Sequence, residues 1–354
     1  MTKYNRNAPC RCGSGKKYKQ CCLGKKEQNF AFGEQTYSMN AADEFISKFM
    51  AANGDGPFSS IDELQTSLSQ FQNQENSRAR SEFLGLSSDL VFRLRRQTID
   101  EMPDIVKLHF DEQQSEYGRT PVIVIALAIM LAIRQDEFLK ATAKGNLPRK
   151  AVRFIFENVS AFLFYPGDGQ PNREEDVYHI FKVRILLQRS GVISLRKGKF
   201  TLSRKGKEFF DDFADTDCAV KMYRHLLLFF AHKFNWLFCT RFNEELAELQ
   251  NSALFGLFIL HKKARSFTHE DELAGYFANA FPIVLDLLSP KALPKYGITP
   301  EKMLQNGFGY LFLGEFCWFF GLVLQRKVKG ASDIRDKREY RTSDLFDSLF
   351  RWKQ

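Results

Sequence analysis

The sequence lacks an apolar run long enough to cross a membrane. Its longest run, Val122–Ile133, holds twelve consecutive apolar residues, well short of the roughly 20 that span a bilayer as a helix. The other apolar stretch, Phe308–Leu324, is interrupted by Glu315 and by three glycines. An N-terminal export signal is also not recognisable. We therefore expect both stretches to be core helices of a cytoplasmic protein.

Familiar catalytic patterns are missing too. Six histidines are scattered through the chain, with no His-Glu-x-x-His, Gly-x-Ser-x-Gly or Walker pattern. His225 and His232 lie seven residues apart, without a carboxylate at metal-ligand spacing. Cys218, Cys239 and Cys317 lie among apolar residues, where thiols are unreactive. Nothing in the sequence argues for an enzyme, and a site assembled from dispersed residues is left as an open alternative.

Four of the seven cysteines, by contrast, fall within thirteen positions: Cys10, Cys12, Cys21 and Cys22. Four thiolates complete the tetrahedral site that structural zinc prefers, and they leave no position open for a substrate. Disulfides are the competing interpretation, but a cytoplasmic chain keeps its thiols reduced. The intervening Gly-Ser-Gly-Lys-Lys run lacks the spacing of a phosphate-binding loop. The sequence therefore predicts a bound zinc ion with a structural role.

The run Cys-x-Cys-Gly-Ser-Gly-Lys-Lys-Tyr-Lys-x-Cys-Cys, within residues 5–24, resembles the SEC-C motif, the zinc module at the C-terminus of the translocase ATPase SecA. The resemblance implies the same four cysteines as ligands, and a recognition role, since the translocase module contacts a chaperone and the ribosome. Arg11 departs from the proline that family members often have. The rest of the chain resembles uncharacterised bacterial proteins with this motif only loosely.

Net charge is concentrated at the N-terminus. Residues 1–26 hold eight Lys or Arg and no Asp or Glu. The rest of the chain therefore holds 43 of the 51 basic residues and 42 acidic ones. Four thiolates with Zn²⁺ subtract two charges, which leaves the module basic. The body is near neutral, and any basic surface on it must be a local patch.

Apolar periodicity predicts a mainly α protein with a small N-terminal zinc knuckle. We expect a helix over 41–52, another capped by Ser59 or Ser60, and a third from about Arg80, followed by one that ends near Phe110. The C-terminal part predicts helices at 219–239, 242–262, 270–288, 300–325 and 342–352. The predicted parts are the knuckle (1–26), a linker and helical region (27–110), a winged-helix-like segment (111–215) and a C-terminal helical domain (216–354).

The winged-helix-like interpretation depends on residues 137–213. A short strand over 137–142 precedes helices over 149–158 and 174–190, and Gly191 to Ser203 alternates as a hairpin around Arg-Lys-Gly-Lys. Nine Lys or Arg and no acid lie between Val177 and Lys207, which suits phosphate contacts. The predicted nucleic-acid contacts are Lys16, Lys17 and Lys19 in the knuckle, and Lys182, Arg184, Arg189, Arg196, Lys197, Lys199, Arg204 and Lys205 in the segment.

Three hypotheses follow. The first is a non-enzymatic zinc protein that docks through basic surfaces on nucleic acid or the ribosome. The second is a protein–protein adaptor that uses the knuckle, and the third is the dispersed enzyme site. Winged helices also serve as scaffolds, a basic hairpin tip also discourages sheet-edge pairing, and the acids at Glu208, Asp211, Asp212, Asp215 and Asp217 could neutralise part of the patch.

Overall fold

The computed structural model describes residues 37–54, 58–99, 101, 105–111, 115–163, 169–211, 216–238, 240–328 and 337–353. Most of these residues are helical, as the mainly α prediction requires. The chain divides into two compact units, residues 1–78 and 79–354. No single helix in the described residues combines the length and apolar character needed to cross a bilayer, although one bent pair, Glu270–Ala280 with Ile283–Lys291, meets that test when taken together.

The described part of the first unit forms two helices of 17 residues each, α1 (Tyr37–Asn53) and α2 (Ile61–Ser77). The predicted serine cap of α2 is confirmed. Ser60 accepts the Glu63 amide at 3.1 Å, while the Ser59 amide donates to the Glu63 carboxylate at 2.7 Å. These bonds satisfy donors that a helix start otherwise leaves unpaired.

The second unit is a helical body with small antiparallel sheets. Its α-helices are α3 (Ser88–Arg96), α4 (Pro121–Gln135), α5 (Arg149–Val159), α6 (Tyr178–Arg189), α7 (Arg204–Asp211), α8 (Thr216–His232), α9 (Glu248–Asn251), α10 (Ala253–Lys263), α11 (Glu270–Ala280), α12 (Ile283–Leu288), α13 (Pro300–Gly307) and α14 (Asp344–Leu349), and a π-helix covers Phe308–Trp318. Its strands are β1 (Val106–Leu108), β2 (Leu139–Lys140), β3 (Ile193–Arg196), β4 (Lys199–Leu202), β5 (Thr268–His269), β6 (Val323–Lys327), β7 (Arg338–Thr342) and β8 (Phe350–Trp352). Among the described residues the sheet orders are β1-β8, β2-β4-β3 and β5-β7-β6.

Helix α4 is the core helix that the longest apolar run predicts. Pro121 occupies its first turn, where a missing amide proton costs nothing, and the helix is buried along most of its length. It packs against α5 and α6. The predicted hairpin is also confirmed, because β3 and β4 pair antiparallel with Ile193 opposite Leu202 and Arg196 opposite Lys199. The chain order α4-β2-α5-α6-β3-β4 thus carries a three-stranded sheet on a helical layer.

The helix predicted over 300–325 is confirmed as far as residue 318 and is wrong beyond it. Helix α13 gives way to the π-helix, and the chain then turns into strand β6. The turn is made by Gly321, whose φ of +71° favours glycine. A Cβ at Gly321 would lie 2.8 Å from the Thr120 side chain. The glycine in the apolar run was therefore the sequence signal for a turn.

Two further helix predictions are wrong because the segments pair with each other. Val106–Leu108, predicted as the end of a helix, is strand β1, and Phe350–Trp352 is strand β8 rather than the last turn of a helix. Val106 lies opposite Trp352 in the antiparallel register. Each strand is three residues long, so its alternation is too short to outweigh the surrounding helical spacing.

An ion pair joins α6 to the π-helix inside the body. Lys182 donates to the carboxylate of Glu315, and both residues are about 1% exposed. His179 Nε2 lies 3.2 Å from the other carboxylate oxygen, without the alignment of a hydrogen bond. The Phe230 and Tyr178 rings lie 4.8 and 5.7 Å from the ammonium. Burial alone would raise the pKa of Glu315, but Lys182 and His179 together lower it to about 2.

Replacing Glu315 with leucine tests this pair. The variant leaves Lys182 buried without its counterion, so we expect the free energy of unfolding to fall by about 3–5 kcal/mol. The double variant K182M/E315L removes both charges at similar volume and should recover most of that loss. Urea unfolding followed by circular dichroism measures both. A single variant as stable as the wild type, or a double variant as unstable as the single, contradicts the assignment.

Candidate polyanion-binding surface

The tip of the β3–β4 hairpin is a two-residue turn made by Lys197 and Gly198. Both have positive φ, +48° and +72°, the conformation of the tight hairpin turn that matches the twist of its strands. Asparagine, aspartate or glycine is preferred at the first position, because left-handed backbone costs another L-residue about 1–2 kcal/mol. The chain instead holds a lysine there. Strain of this kind is often retained where the side chain has a function.

Three cations lie side by side across the sheet next to this turn. Lys199 of β4 is opposite Lys140 of β2 on one side and opposite Arg196 of β3 on the other. Adjacent strands are about 4.8 Å apart, so the row extends roughly 10 Å. Because side chains alternate between faces, the neighbouring row of Leu139, Phe200 and Leu195 faces the opposite way, toward the core. We call Lys140, Lys199, Arg196 and the turn residue Lys197 the wing cations.

All four wing cations are exposed, and no ion pair joins them to a carboxylate within the described part of the chain. Like charges opposite each other in a sheet are destabilising. The Lys199 ammonium lies 3.8 Å from the centroid of the Phe138 ring, which offsets part of that repulsion. The row is therefore an unneutralised positive surface on a rigid support.

The acidic residues that follow the hairpin do not neutralise this row where the structure describes them. Asp211 lies 3.3 Å from Arg134, and Glu208 lies 3.5 Å from Arg204. Asp212 and Asp215 lie outside the described residues, as does the side chain of Asp217. Arg204 and Lys205 are exposed at the start of α7, beside the hairpin. The described acids after the hairpin thus pair with Arg134 and Arg204 rather than with the wing cations.

The predicted contacts on α6 have a different environment. Lys182 and Arg184 are about 1% and 3% exposed, so the prediction that they lie at the surface is wrong. Lys182 pairs with Glu315, and Arg184 donates to both oxygens of Glu174 at 2.8 and 3.1 Å. Most of α6 is covered, because it packs against α4, α5 and α8, whereas Phe181, Ile185 and Gln188 are half-buried. Neither Lys182 nor Arg184 is available to a phosphate in this arrangement.

Arg189, at the end of α6, is exposed, and its guanidinium lies 4.5 Å from the centroid of the Phe238 ring. Lys140 is the wing cation that sequence reasoning missed. It belongs to a strand that is only two residues long, and its place in the row depends on a pairing with a strand about 60 residues later. The alternation of apolar Leu139 with charged Lys140 in the sequence was the available signal.

The predicted zinc ligands Cys10, Cys12, Cys21 and Cys22, with Lys16, Lys17 and Lys19, lie outside the described residues. Among the described residues, no group of three or more His, Cys, Asp or Glu side chains is arranged to hold a metal ion. His225 Nε2 contacts the Ser190 carbonyl at 2.9 Å, and His232 Nε2 accepts the Ile99 amide at 3.1 Å. These two histidines therefore have structural partners.

A family model described as the SEC-C motif matches residues 6–24. This match confirms the resemblance that the N-terminal cysteines carry, and it includes all four of them. No curated protein and no solved structure matches the chain. The similarity to known proteins thus concerns the zinc-type module, and the body must be interpreted from its own residues.

The strained turn gives a prediction that separates conformation from charge. Lys197→Asn places a preferred residue at the first turn position, so we expect the free energy of unfolding to rise by about 1 kcal/mol. Lys197→Gln removes the same charge but keeps the unfavourable backbone, and it should gain much less. Thermal or urea unfolding compares the two. Equal stabilisation by both variants would mean that charge repulsion, rather than backbone strain, destabilises the turn.

Proposed function

We propose that the protein is a zinc-module protein that docks through its wing cations on the phosphate backbone of a nucleic acid, free or within the ribosome. The observation that carries this proposal is the row of Lys140, Lys199 and Arg196, fixed by strand register and lacking acidic partners in the described part of the chain. Phosphates release counterions when cations of this kind bind them, which supplies affinity without base contacts.

The body supports this proposal through its order of elements. Helix, strand, two helices and two strands, with sheet order β2-β4-β3, are the elements that a winged helix would have, and α6 would then occupy the position of the helix that reads the major groove. Lys182 and Arg184 of α6 are buried, however, so we infer that the hairpin supplies the contacts. Contacts to the phosphate backbone, without contacts to base edges, position a protein on nucleic acid but do not select a sequence.

The SEC-C module supplies the second basic surface of the proposal. Its four thiolate donors suit Zn²⁺, which they would hold as a closed structural site. Zinc there would fold the module rather than react with a substrate, so the lysines between the cysteines would be presented to a partner. The resemblance to the translocase module favours a second candidate function, an adaptor in which this module binds an acidic protein surface.

Charge removal on the wing tests the main proposal. The variant K140Q/R196Q/K199Q should bind a short duplex or a single-stranded RNA more weakly than the wild type. The slope of log K against log salt should become less steep by about 2–3, since each lost phosphate contact contributes about 0.9 for duplex DNA. Fluorescence anisotropy across a salt series measures both quantities.

The matched control is K107Q/R351Q/K353Q. It removes two exposed charges from the β1–β8 sheet, where Lys107 is also opposite Arg351, and a third at Lys353 directly after β8, and it should leave affinity and salt slope unchanged. If the wing variant binds as the wild type does, or if both variants lose the same affinity, the wing is not the docking surface. A protein partner that depends on residues 1–26, with no nucleic-acid binding, would favour the adaptor.

Metal content tests the module separately. We expect one zinc per chain by elemental analysis, lost when Cys10 and Cys21 are both replaced with serine, because two of four ligands are removed. Since the cysteines lie in the sequence before residues 79–354, which form the second compact unit, the unfolding transition of that unit should not change. Full zinc content in the double variant would contradict the ligand assignment.

A further inference from the structure

The outer face of the β2-β4-β3 sheet carries an aromatic ring beside the wing cations. Phe138 and Lys140 flank Leu139, whose side chain is buried, so alternation places Phe138 and Lys140 on the same face. The Lys199 ammonium, 3.8 Å from the centroid of the Phe138 ring, agrees with this placement. Phe138 is half-buried, and it is not among the apolar side chains that pack against the core of the described body. The ring therefore belongs to the surface that the wing cations form.

Two hydroxyl groups lie further along the same face. Ser194 of β3 is opposite Thr201 of β4, and each is two residues from a wing cation, Arg196 and Lys199 respectively, so alternation places them on that face. Their side-chain oxygens are 2.9 Å apart, and both residues are partly exposed. One hydroxyl proton makes this hydrogen bond, so the proton of the other hydroxyl is available to a ligand.

The ring and the hydroxyls are more than a duplex requires. Cations alone serve the phosphate backbone of a duplex, and its bases are stacked on one another, out of reach of a side chain unless they are flipped out. In an unpaired strand the faces of the bases are free, and proteins bind such strands by combining aromatic rings, which stack on bases, with cations and hydrogen-bonding groups. A half-exposed ring next to a row of cations is the combination that suits an unpaired strand.

We propose that the wing binds unpaired nucleic acid, with one base stacked on Phe138 and the phosphates of the strand on the wing cations. This inference rests on the proposed function and names the form of nucleic acid that the same surface takes. In the free protein the exposed ammonium of Lys199 covers the ring, and its flexible stem lets it move to a phosphate as a base takes its place. Asp136 and Glu137 directly precede Phe138, so the phosphates lie along the row rather than toward the start of β2.

Fluorescence anisotropy with three oligonucleotides tests the inference. They are a strand of about 12 nucleotides that does not fold on itself, the same strand annealed to its complement, and a strand of the same length without bases. Phe138→Leu should weaken binding of the first strand about tenfold, near the lower end of what a base stacked on an aromatic ring contributes, and leave the other two unchanged. The salt slope should not change for any oligonucleotide, because stacking releases no counterions. Phe138→Tyr keeps a ring and should bind as the wild type does.

The matched control is Phe92→Leu. It removes another exposed phenylalanine ring with a cation over it, since the Arg96 guanidinium lies 4.5 Å from the centroid of Phe92, and it should bind all three oligonucleotides as the wild type does. If Phe138→Leu weakens the strand, the duplex and the strand without bases equally, the ring supports the sheet rather than a base, and the inference is wrong.

The inference and the proposed function can fail separately. Unchanged binding of the unpaired strand by Phe138→Leu overturns the inference alone, and the proposed function stands if K140Q/R196Q/K199Q still weakens binding of the same strand. A wild type that binds none of the three oligonucleotides overturns the proposed function and the inference with it.

Discussion

The buried ion pair between Lys182 and Glu315 determines whether α6 can contact a partner. It joins α6, near the middle of the second unit, to the π-helix more than a hundred residues later. A charge so deeply buried is tolerated when its counterion is in contact, because removing either ion from water is expensive. The pair therefore fixes α6 as an internal helix. In a winged helix that reads the major groove, the helix at this position enters the groove. The buried side chains of α6 cannot make that contact.

Contact with a polyanion would therefore be made by cations other than Lys182 and Arg184. Among the predicted contacts that the structure describes, Arg189 and those of the hairpin and α7 remain exposed, and the register of a three-stranded sheet places Lys140, Lys199 and Arg196 in one row. A row of like charges destabilises the sheet that carries it, and Lys197 adds backbone strain at the turn. Both features oppose folding stability, and the exposed positive charge is what a polyanion would contact. Because these residues reduce folding stability, we regard the hairpin, rather than the helices, as the proposed binding surface.

Sequence reasoning succeeded where the signal was local. The apolar run gave α4, the Gly-turn alternation gave the β3–β4 hairpin, and the serine before Ile61 gave the cap of α2. It failed for Lys182 and Arg184 because a charged residue on a helix is usually exposed, and the carboxylates that bury them are visible only in the folded chain. Strands β1 and β8 were missed for the same reason, since each exists only by pairing with the other. The zinc ligands follow from spacing alone and lie outside the described residues.

Lysine footprinting of the full chain tests the central claim most directly, that α6 is internal and that the wing meets the polyanion. Acetylation with and without a duplex, followed by mass spectrometry, measures each lysine separately. The account predicts that Lys140, Lys197 and Lys199 react readily in the free protein and are protected by the duplex, whereas Lys182 is unreactive in both states. Ready acetylation of Lys182 in the folded protein, or bound duplex that leaves the three wing lysines fully reactive, would contradict it.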